Sequence, residues 1–266
     1  MKKTVVITGA SAGIGYHAAR VFLKNGYTVY GISRKPSDLE GLKHISADLT
    51  DESSVVSAFD KIVSEAGWID ILINNAGSGI SGAVEFTDIS DAKYQFDVNF
   101  FGMVRCIKCA LPVMRKNGGK IINVSSLAAV FPLPFQGFYS ASKAAVNALT
   151  MSLRSEVKKF GNIQICAILP GDVKTGFTSA RRKNETGDDV YGGTISATIA
   201  GMERDEENGM TPEYMGRLIY KIATKPNFKP FYVGGKRYKP LVFLEKILPK
   251  RLVSYILFKM YIKSNQ

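Results

Sequence analysis

Short apolar runs alternate with amphipathic helical patterns along most of this chain, and that alternation is the strongest constraint on its fold. Strand-like runs fall at 4–8, 28–32, 44–47, 69–73, 120–124, 163–169 and 229–233, with helical patterns at 14–25, 52–66, 92–115, 139–159 and 212–224 between them. The apolar runs do not alternate with polar residues, which is the pattern of strands buried on both faces. Regular βαβα order implies a parallel sheet with right-handed crossovers and helices on both sides. With 266 residues and 45% hydrophobic content, the chain can bury a full core. We read 1–235 as one α/β domain, with 236–266 as a basic, amphipathic helical extension.

The turn after the first run reads Thr8-Gly9-Ala10-Ser11-Ala12-Gly13-Ile14-Gly15. Glycine lets a backbone approach phosphate oxygens closely, and a helix starting near Ile14 would present free N–H groups and a positive dipole end. This favours a dinucleotide pyrophosphate over a merely tight turn, although the G-x-x-x-G-x-G spacing differs from the commoner G-x-G-x-x-G. At the end of the second run stands Ser33-Arg34, with no acid where a carboxylate would take the ribose 2′-hydroxyl of NAD. A guanidinium and a hydroxyl suit a 2′-phosphate, so NADP(H) is the expected cofactor. The alternative is a solvated basic loop. Asp48 either accepts from an adenine amino group or caps the helix beginning at Glu52. The fourth run ends in Asn74-Asn75-Ala76-Gly77, small and polar residues suited to lining a cofactor.

Tyr139 and Lys143 lie four positions apart on one helical pattern and so on one face. A tyrosine titrates near pH 10, and a neighbouring cation favours the phenolate, pulling the group toward a working range. Ser126 ends the run 120–126, at the strand end where open α/β sheets place their chemistry. A bare YxxxK is more often a surface pair, and the upstream motifs are what give this one meaning. Cys106 and Cys109 spell C-x-x-C inside a helical pattern with no second pair, so they read as small buried side chains. Three cysteines argue for a reducing, cytoplasmic setting, and two scattered histidines for no metal site. The first residues lack the features of a signal peptide, and no run reaches the roughly 18–20 apolar residues of a membrane span.

Taken together, TGASAGIG (8–15), NNAG (74–77), Asn99, Ser126, YSASK (139–143) and PGDVKT (170–175) resemble the short-chain dehydrogenase/reductase family, over about residues 3–235. The resemblance implies a Rossmann-like, doubly wound sheet of about seven mostly parallel strands, and hydride transfer between a nicotinamide and a carbonyl or alcohol carbon. By the same resemblance, Tyr139 would protonate the developing alkoxide, and Lys143 would lower the tyrosine pKa and hold the nicotinamide ribose. Ser126 would hydrogen-bond the substrate oxygen, and Asn99 would support a water linking Lys143 to solvent. Gly9, Ser11, Ile14 and Gly15 would line the phosphates, with Asp48 at adenine, Asn75 at its ribose and Ser33 and Arg34 at the 2′-phosphate. Pro170, Gly171 and Thr175 would place the nicotinamide. A homo-oligomer through the helices carrying Asn99 and Tyr139 is expected on the same basis, as is a mobile substrate lid at 176–209. A non-catalytic NADP-binding regulator is the other reading, and it would usually show a damaged tyrosine or lysine.

Phe131, Leu133 and Phe135 make the loop after Ser126 apolar, so an apolar ketone or alcohol (steroid-, retinoid- or lipid-like) is the expected substrate. From Lys225 onward ten Lys or Arg stand against one acid, which is +9 of the chain's +12. Basic residues interleaved with Leu, Ile and Phe suit an anionic membrane surface. A helix packed on the domain and a dimer contact are the alternatives; nucleic acid is not expected, because the apolar content is high and no binding motif occurs.

Overall fold

The structure, a computed structural model, describes residues 2–262. The chain starts with β1 (Thr4–Thr8), α1 (Gly13–Lys24), β2 (Thr28–Ile32) and β3 (Lys43–Ile45), then α2 (Glu52–Ala66) and β4 (Ile71–Asn74). A two-residue strand β5 (Ile80–Ser81) precedes α3 (Ile89–Phe96) and α4 (Gly102–Asn117), followed by β6 (Gly119–Val124), α5 (Gly137–Glu156) and β7 (Ile163–Pro170). The segment after β7 holds α6 (Phe177–Ala180), β8 (Arg182–Lys183) and α7 (Thr194–Glu207). Then come α8 (Pro212–Ala223), β9 (Phe231–Gly234), α9 (Lys239–Ile247) and α10 (Lys250–Tyr261).

Seven strands form one sheet in the order β3-β2-β1-β4-β6-β7-β9, every pairing parallel. The expected seven-stranded, doubly wound sheet is therefore present. Successive residues of each strand feed opposite cores. Val6, Leu72, Ile121 and Ile165 face a layer with Phe59, Ile62, Cys106, Met114 and Val146 from α2, α4 and α5. Val5, Ile7, Ile73 and Ile122 face Ala18, Phe22, Met215 and Ile219 from α1 and α8. The strand order reverses between β1 and β4, and that reversal opens a crevice beyond their C-terminal ends.

The sequence pattern 92–115 implied one helix. The backbone instead runs α3, a single wide π-turn over Asp97–Phe101, then α4. Such turns place a side chain where regular α geometry would not, and this one carries Asn99. Capping of α2 falls to Asp51, whose carboxylate accepts from Ser53 N at 2.9 Å. Asp48 therefore does not cap that helix. Its Oδ1 accepts instead from the Thr50 amide at 2.9 Å and the Thr50 hydroxyl at 2.8 Å. Cys106 is buried, Cys109 partly buried, and both are free thiols whose pKa burial pushes up. They act as packing residues.

Helices α1 and α8 cross closely because Gly216 has no side chain. A Cβ there would lie 2.6 Å from the His17 carbonyl carbon and 2.7 Å from its oxygen. Alanine favours a helix over glycine by about 1 kcal/mol, but overpacking against backbone costs about 1–3 kcal/mol. Gly216→Ala should lower the melting temperature by several degrees, by roughly 2–4 °C per kcal/mol, without removing activity. An unchanged or raised melting temperature would show that the two helices separate easily.

Candidate active site

The crevice is built first from a turn. Gly9 and Gly13 sit at φ +66° and +56°, the left-handed region that disfavours side chains. A Cβ on Gly15 would lie 2.3 Å from Gly9 O and 2.5 Å from Asn75 Nδ2. Asn75 ties this turn to the end of β4: its Nδ2 donates to Thr8 O at 3.0 Å and to Gly9 O at 3.2 Å. Thr8 Oγ1 accepts in return from Asn75 N and Ala76 N, each at 3.0 Å. At the start of α1, Ala12 offers no side-chain cap and the first turn holds no acid. The helix's first amides and its positive dipole end are thus left for an anion, which fits a cofactor pyrophosphate.

The second component comes from β6 and α5. The chain leaving β6 places Ser126, whose hydroxyl accepts from Ala128 N at 3.1 Å and caps a short 3₁₀ turn. On α5, Tyr139 and Lys143 share one face. Lys143 is buried, and its ammonium donates to Val124 O at 3.0 Å while standing 5.8 Å from the centre of the Tyr139 ring. Burial pushes the Lys143 pKa down to about 8. The same burial pushes the Tyr139 phenol above its ordinary value; the neighbouring Ser126 hydroxyl and the Arg181 guanidinium pull it back, and Glu206 adds to the rise. Desolvation therefore outweighs the cation's expected pull on the phenol in the protein alone.

Asn99 is buried behind this pair. Its Oδ1 accepts from Ser78 N at 2.7 Å, and its Nδ2 donates to Ser78 O at 3.0 Å and Ser142 Oγ at 3.1 Å. A Cβ on Gly77 would lie 3.2 Å from Asn99 Oδ1 and 3.6 Å from Lys143 Nζ, so the loop after β4 runs directly against both.

A cavity of about 740 Å³ joins the two components. Gly9, Ser11, Ile14, Asn75, Ser126, Tyr139, Lys143, Pro170, Gly171 and Thr175 all line it. Gly15 and Asn99 lie behind its wall, in supporting positions. Ser33, Arg34 and Asp48 lie at the C-terminal ends of β2 and β3, outside the cavity. Arg34 is exposed and donates to Tyr94 OH at 3.3 Å, and Ser33 Oγ donates to Lys35 O at 2.8 Å. The Asp48 carboxyl is held below its usual range, chiefly by the Thr50 amide, with the Thr50 hydroxyl and Arg34 adding to the effect.

Two contributors to the cavity wall were not assigned to the site from the sequence. The first is the C-terminal extension. Tyr238 packs its ring against Gly171, where a Cβ would lie 2.1 Å away, and its hydroxyl donates to Asp172 Oδ2 at 2.6 Å. Beyond it, Leu241, Leu244, Val253, Ile256 and Leu257 of α9 and α10 form much of the cavity wall. The extension thus packs back over the site, the alternative that charge pattern alone left open; its last residues, 263–266, lie outside the described residues. The second is a buried ion pair between Arg181 and Glu206; the Arg181 guanidinium lies over the ring of Phe177, which is 5.7 Å from that of Tyr139. It fastens the segment 176–209 beside the phenol.

The family model for short chain dehydrogenases matches residues 3–186. This protein is a member of the short-chain dehydrogenase/reductase family. It is 43% identical over 227 residues to a 3-ketodihydrosphingosine reductase of Bacteroides thetaiotaomicron, covering 84% of each chain. The crystal structure of a short-chain dehydrogenase from Streptomyces avermitilis superposes with a TM-score of 0.83 at 25% identity, covering 92% of this chain and 93% of that one. ElxO, solved with NADP bound, gives a TM-score of 0.73 at 30% identity, covering 88% of this chain and 97% of that one. The protein is accordingly an oxidoreductase of CH–OH and C=O groups that uses a nicotinamide cofactor.

The buried ammonium makes a pH test available. Because the folded protein holds the Lys143 proton less tightly than the unfolded chain, the cost of burying the charge is fully present below about pH 8. That cost is relieved as pH rises toward the ordinary lysine value of 10.5. Lys143→Met removes this dependence. In urea melts of the cofactor-free protein, the stability of the variant relative to wild type should be greatest below about pH 8. The difference should shrink by up to roughly 3 kcal/mol at higher pH. A constant difference would show that Lys143 holds its proton in the fold as tightly as in the unfolded chain.

Proposed function

We propose that this protein is an NADPH-dependent reductase of an apolar, chain-like ketone, the same residues carrying the reverse oxidation of the alcohol. The observation that carries this reading is the continuity of the cavity. Ser126, Tyr139 and Lys143 line one region of it, and apolar side chains of the Ser126 loop, α6, α9 and α10 line the rest. Phe131 and Leu133 belong to that wall; Phe135 instead packs against the small cluster of Ala83, Ile195 and Ile199. The relative from Bacteroides thetaiotaomicron supports a keto group on a long-chain substrate.

When bound, the cofactor supplies a hydride to the carbonyl carbon. The chain's own residues must then handle the negative charge that develops on the carbonyl oxygen. Ser126 is placed to donate a hydrogen bond to that oxygen, and Tyr139 to give it a proton from its hydroxyl. Burial keeps the phenol protonated near neutrality, the state a proton donor needs. Lys143 places a cation behind the tyrosine as it gives up its proton, and Asn99 braces the loop that passes both. The open amides of α1 would hold the pyrophosphate, Asn75 and Asp48 the adenosine side, and Pro170, Gly171 and Thr175 the nicotinamide side. Ser33 and Arg34 would take the 2′-phosphate: no carboxylate ends β2, and Arg34 is exposed there with one long hydrogen bond to Tyr94.

A homo-oligomer through α4 and α5 and the turn between α3 and α4 is part of this reading, and the exposed Phe101 and Met151 support it. So is peripheral attachment of a cytoplasmic enzyme to an anionic membrane through the basic extension. Among the described residues no helix is long and apolar enough to cross a membrane.

Tyr139→Phe should leave NADPH binding nearly unchanged and cut turnover by roughly 10²–10⁴-fold, the contribution of a positioned acid. Near-normal turnover of a ketone whose chemical step is rate-limiting would remove Tyr139 from the proposed role. Arg34→Ala should weaken NADPH binding about 10- to 150-fold, from the loss of a charge-assisted hydrogen bond of about 1.5–3 kcal/mol. NADH binding should hardly move. Equal losses for both cofactors, read by fluorescence titration, would assign Arg34 to the fold.

A further inference from the structure

Both C-terminal helices have two apolar faces. On α10, Val253, Ile256 and Leu257 turn inward to the cavity, at the three- and four-residue spacing of one helix face. Leu252, Tyr255 and Phe258 occupy a different face, are exposed, and do not line the cavity. The pattern repeats on α9, where Leu241, Leu244 and Glu245 face the cavity while Phe243 and Ile247 stand 64% and 63% exposed. Of the seventeen exposed large hydrophobic residues among those described, nine lie between Leu241 and Met260. A helix packed only on its own domain needs one apolar stripe. The second stripe calls for a further apolar phase.

The charge around the outer stripe identifies that phase. Lys236, Arg237, Lys239, Lys246, Lys250, Arg251 and Lys259 are all exposed. The one acid of this segment, Glu245, is buried on the inner side and paired with Lys250. A second copy of this chain bringing the same patch would set like charge against like. An anionic lipid surface complements it, with Lys and Arg at headgroup depth and Phe, Ile and Leu below. At nine and twelve residues, the helices are suited to lying in an interface.

Leu241, Leu244 and Ile256 supply the link to the site. Each lines the cavity, and each is also at least 40% exposed, at 48%, 41% and 40%. The cavity therefore reaches the protein surface at the same helices that carry the outer stripe. We propose that the outer face of α9 and α10 docks on an anionic lipid surface, and that the substrate passes from the lipid into the cavity through the gap rimmed by Leu241, Leu244 and Ile256. This deepens the proposed reading of an apolar ketone substrate and rests on it for turnover, though docking and passage can be measured without turnover.

The experiment uses the full-length protein with vesicles of phosphatidylcholine alone or mixed with phosphatidylglycerol. Wild type should co-sediment with the mixed vesicles, less so in high salt, and stay in solution with phosphatidylcholine alone. Phe243→Gln/Ile247→Gln/Phe258→Gln and, separately, Lys246→Gln/Arg251→Gln/Lys259→Gln should each weaken partitioning by about tenfold or more. Neither triple variant touches a cavity-lining residue, so kcat/KM for a short water-soluble ketone should be unchanged in both. For a long-chain ketone held in the mixed vesicles, kcat/KM should fall with the partitioning. A photoreactive long-chain ketone in those vesicles should label α9, α10 or the cavity wall of wild type. Absence of co-sedimentation would overturn docking. Wild-type rates on the vesicle-borne ketone in variants that no longer partition, or labelling confined to other elements, would overturn the passage route. If docking and labelling occur while no ketone of any length is reduced, the carbonyl-reductase reading fails and the lipid route stands.

Discussion

The ammonium of Lys143, buried and donating to the carbonyl of Val124, is the contact on which the rest of the site depends. A charge held out of water is costly, and burial lowers this lysine to about 8. The fold tolerates it because α5 crosses the end of β6 with its inner face filled by small polar residues. Ser142 Oγ accepts from Asn99, and Ser125 Oγ donates to the backbone of Lys143 itself. The same crossing sets Tyr139 in the cavity beside Ser126. Ser126 from the strand end and Tyr139 and Lys143 from the helix are thus fixed by one packing arrangement.

Glycine and asparagine do corresponding work at the turn between β1 and α1. The close approach of Gly15 to Gly9 leaves no room for a side chain, and Asn75 stitches that turn to the neighbouring strand. Because β1 and β4 are adjacent where the sheet order reverses, two loops that are distant in sequence become one surface. The π-turn then lets Asn99 reach the loop after β4 from the middle of a long helical stretch.

At the far side of the cavity from the turn between β1 and α1, the enclosure is made from parts with other obligations. Arg181 and Glu206 pair in a buried position and hold α6 and α7 together next to the tyrosine. Tyr238 occupies the space left by Gly171 and anchors the start of the C-terminal extension through Asp172. From that anchor α9 and α10 lie across the cavity, so the most basic stretch of the chain is also part of its apolar wall.

The linear sequence determined the parallel sheet, because strands buried on both faces must read as unbroken apolar runs. It also determined the clustering of Ser126, Tyr139 and Lys143, because local strand ends and a four-residue helical spacing leave little freedom. Asp48 was ambiguous, since an acid near a helix start has several partners within reach and only the folded loop selects Thr50. The π-turn was invisible, because a single wide turn barely alters hydrophobic periodicity. The placement of α9 and α10 was decided by tertiary structure alone. Their inner and outer apolar stripes overlap in sequence as one dense run of Leu, Ile and Phe, and charge counting registers only the basic side. Which stripe faces inward depends on the shape of a cavity whose walls come from six other parts of the chain, and no local pattern encodes that shape.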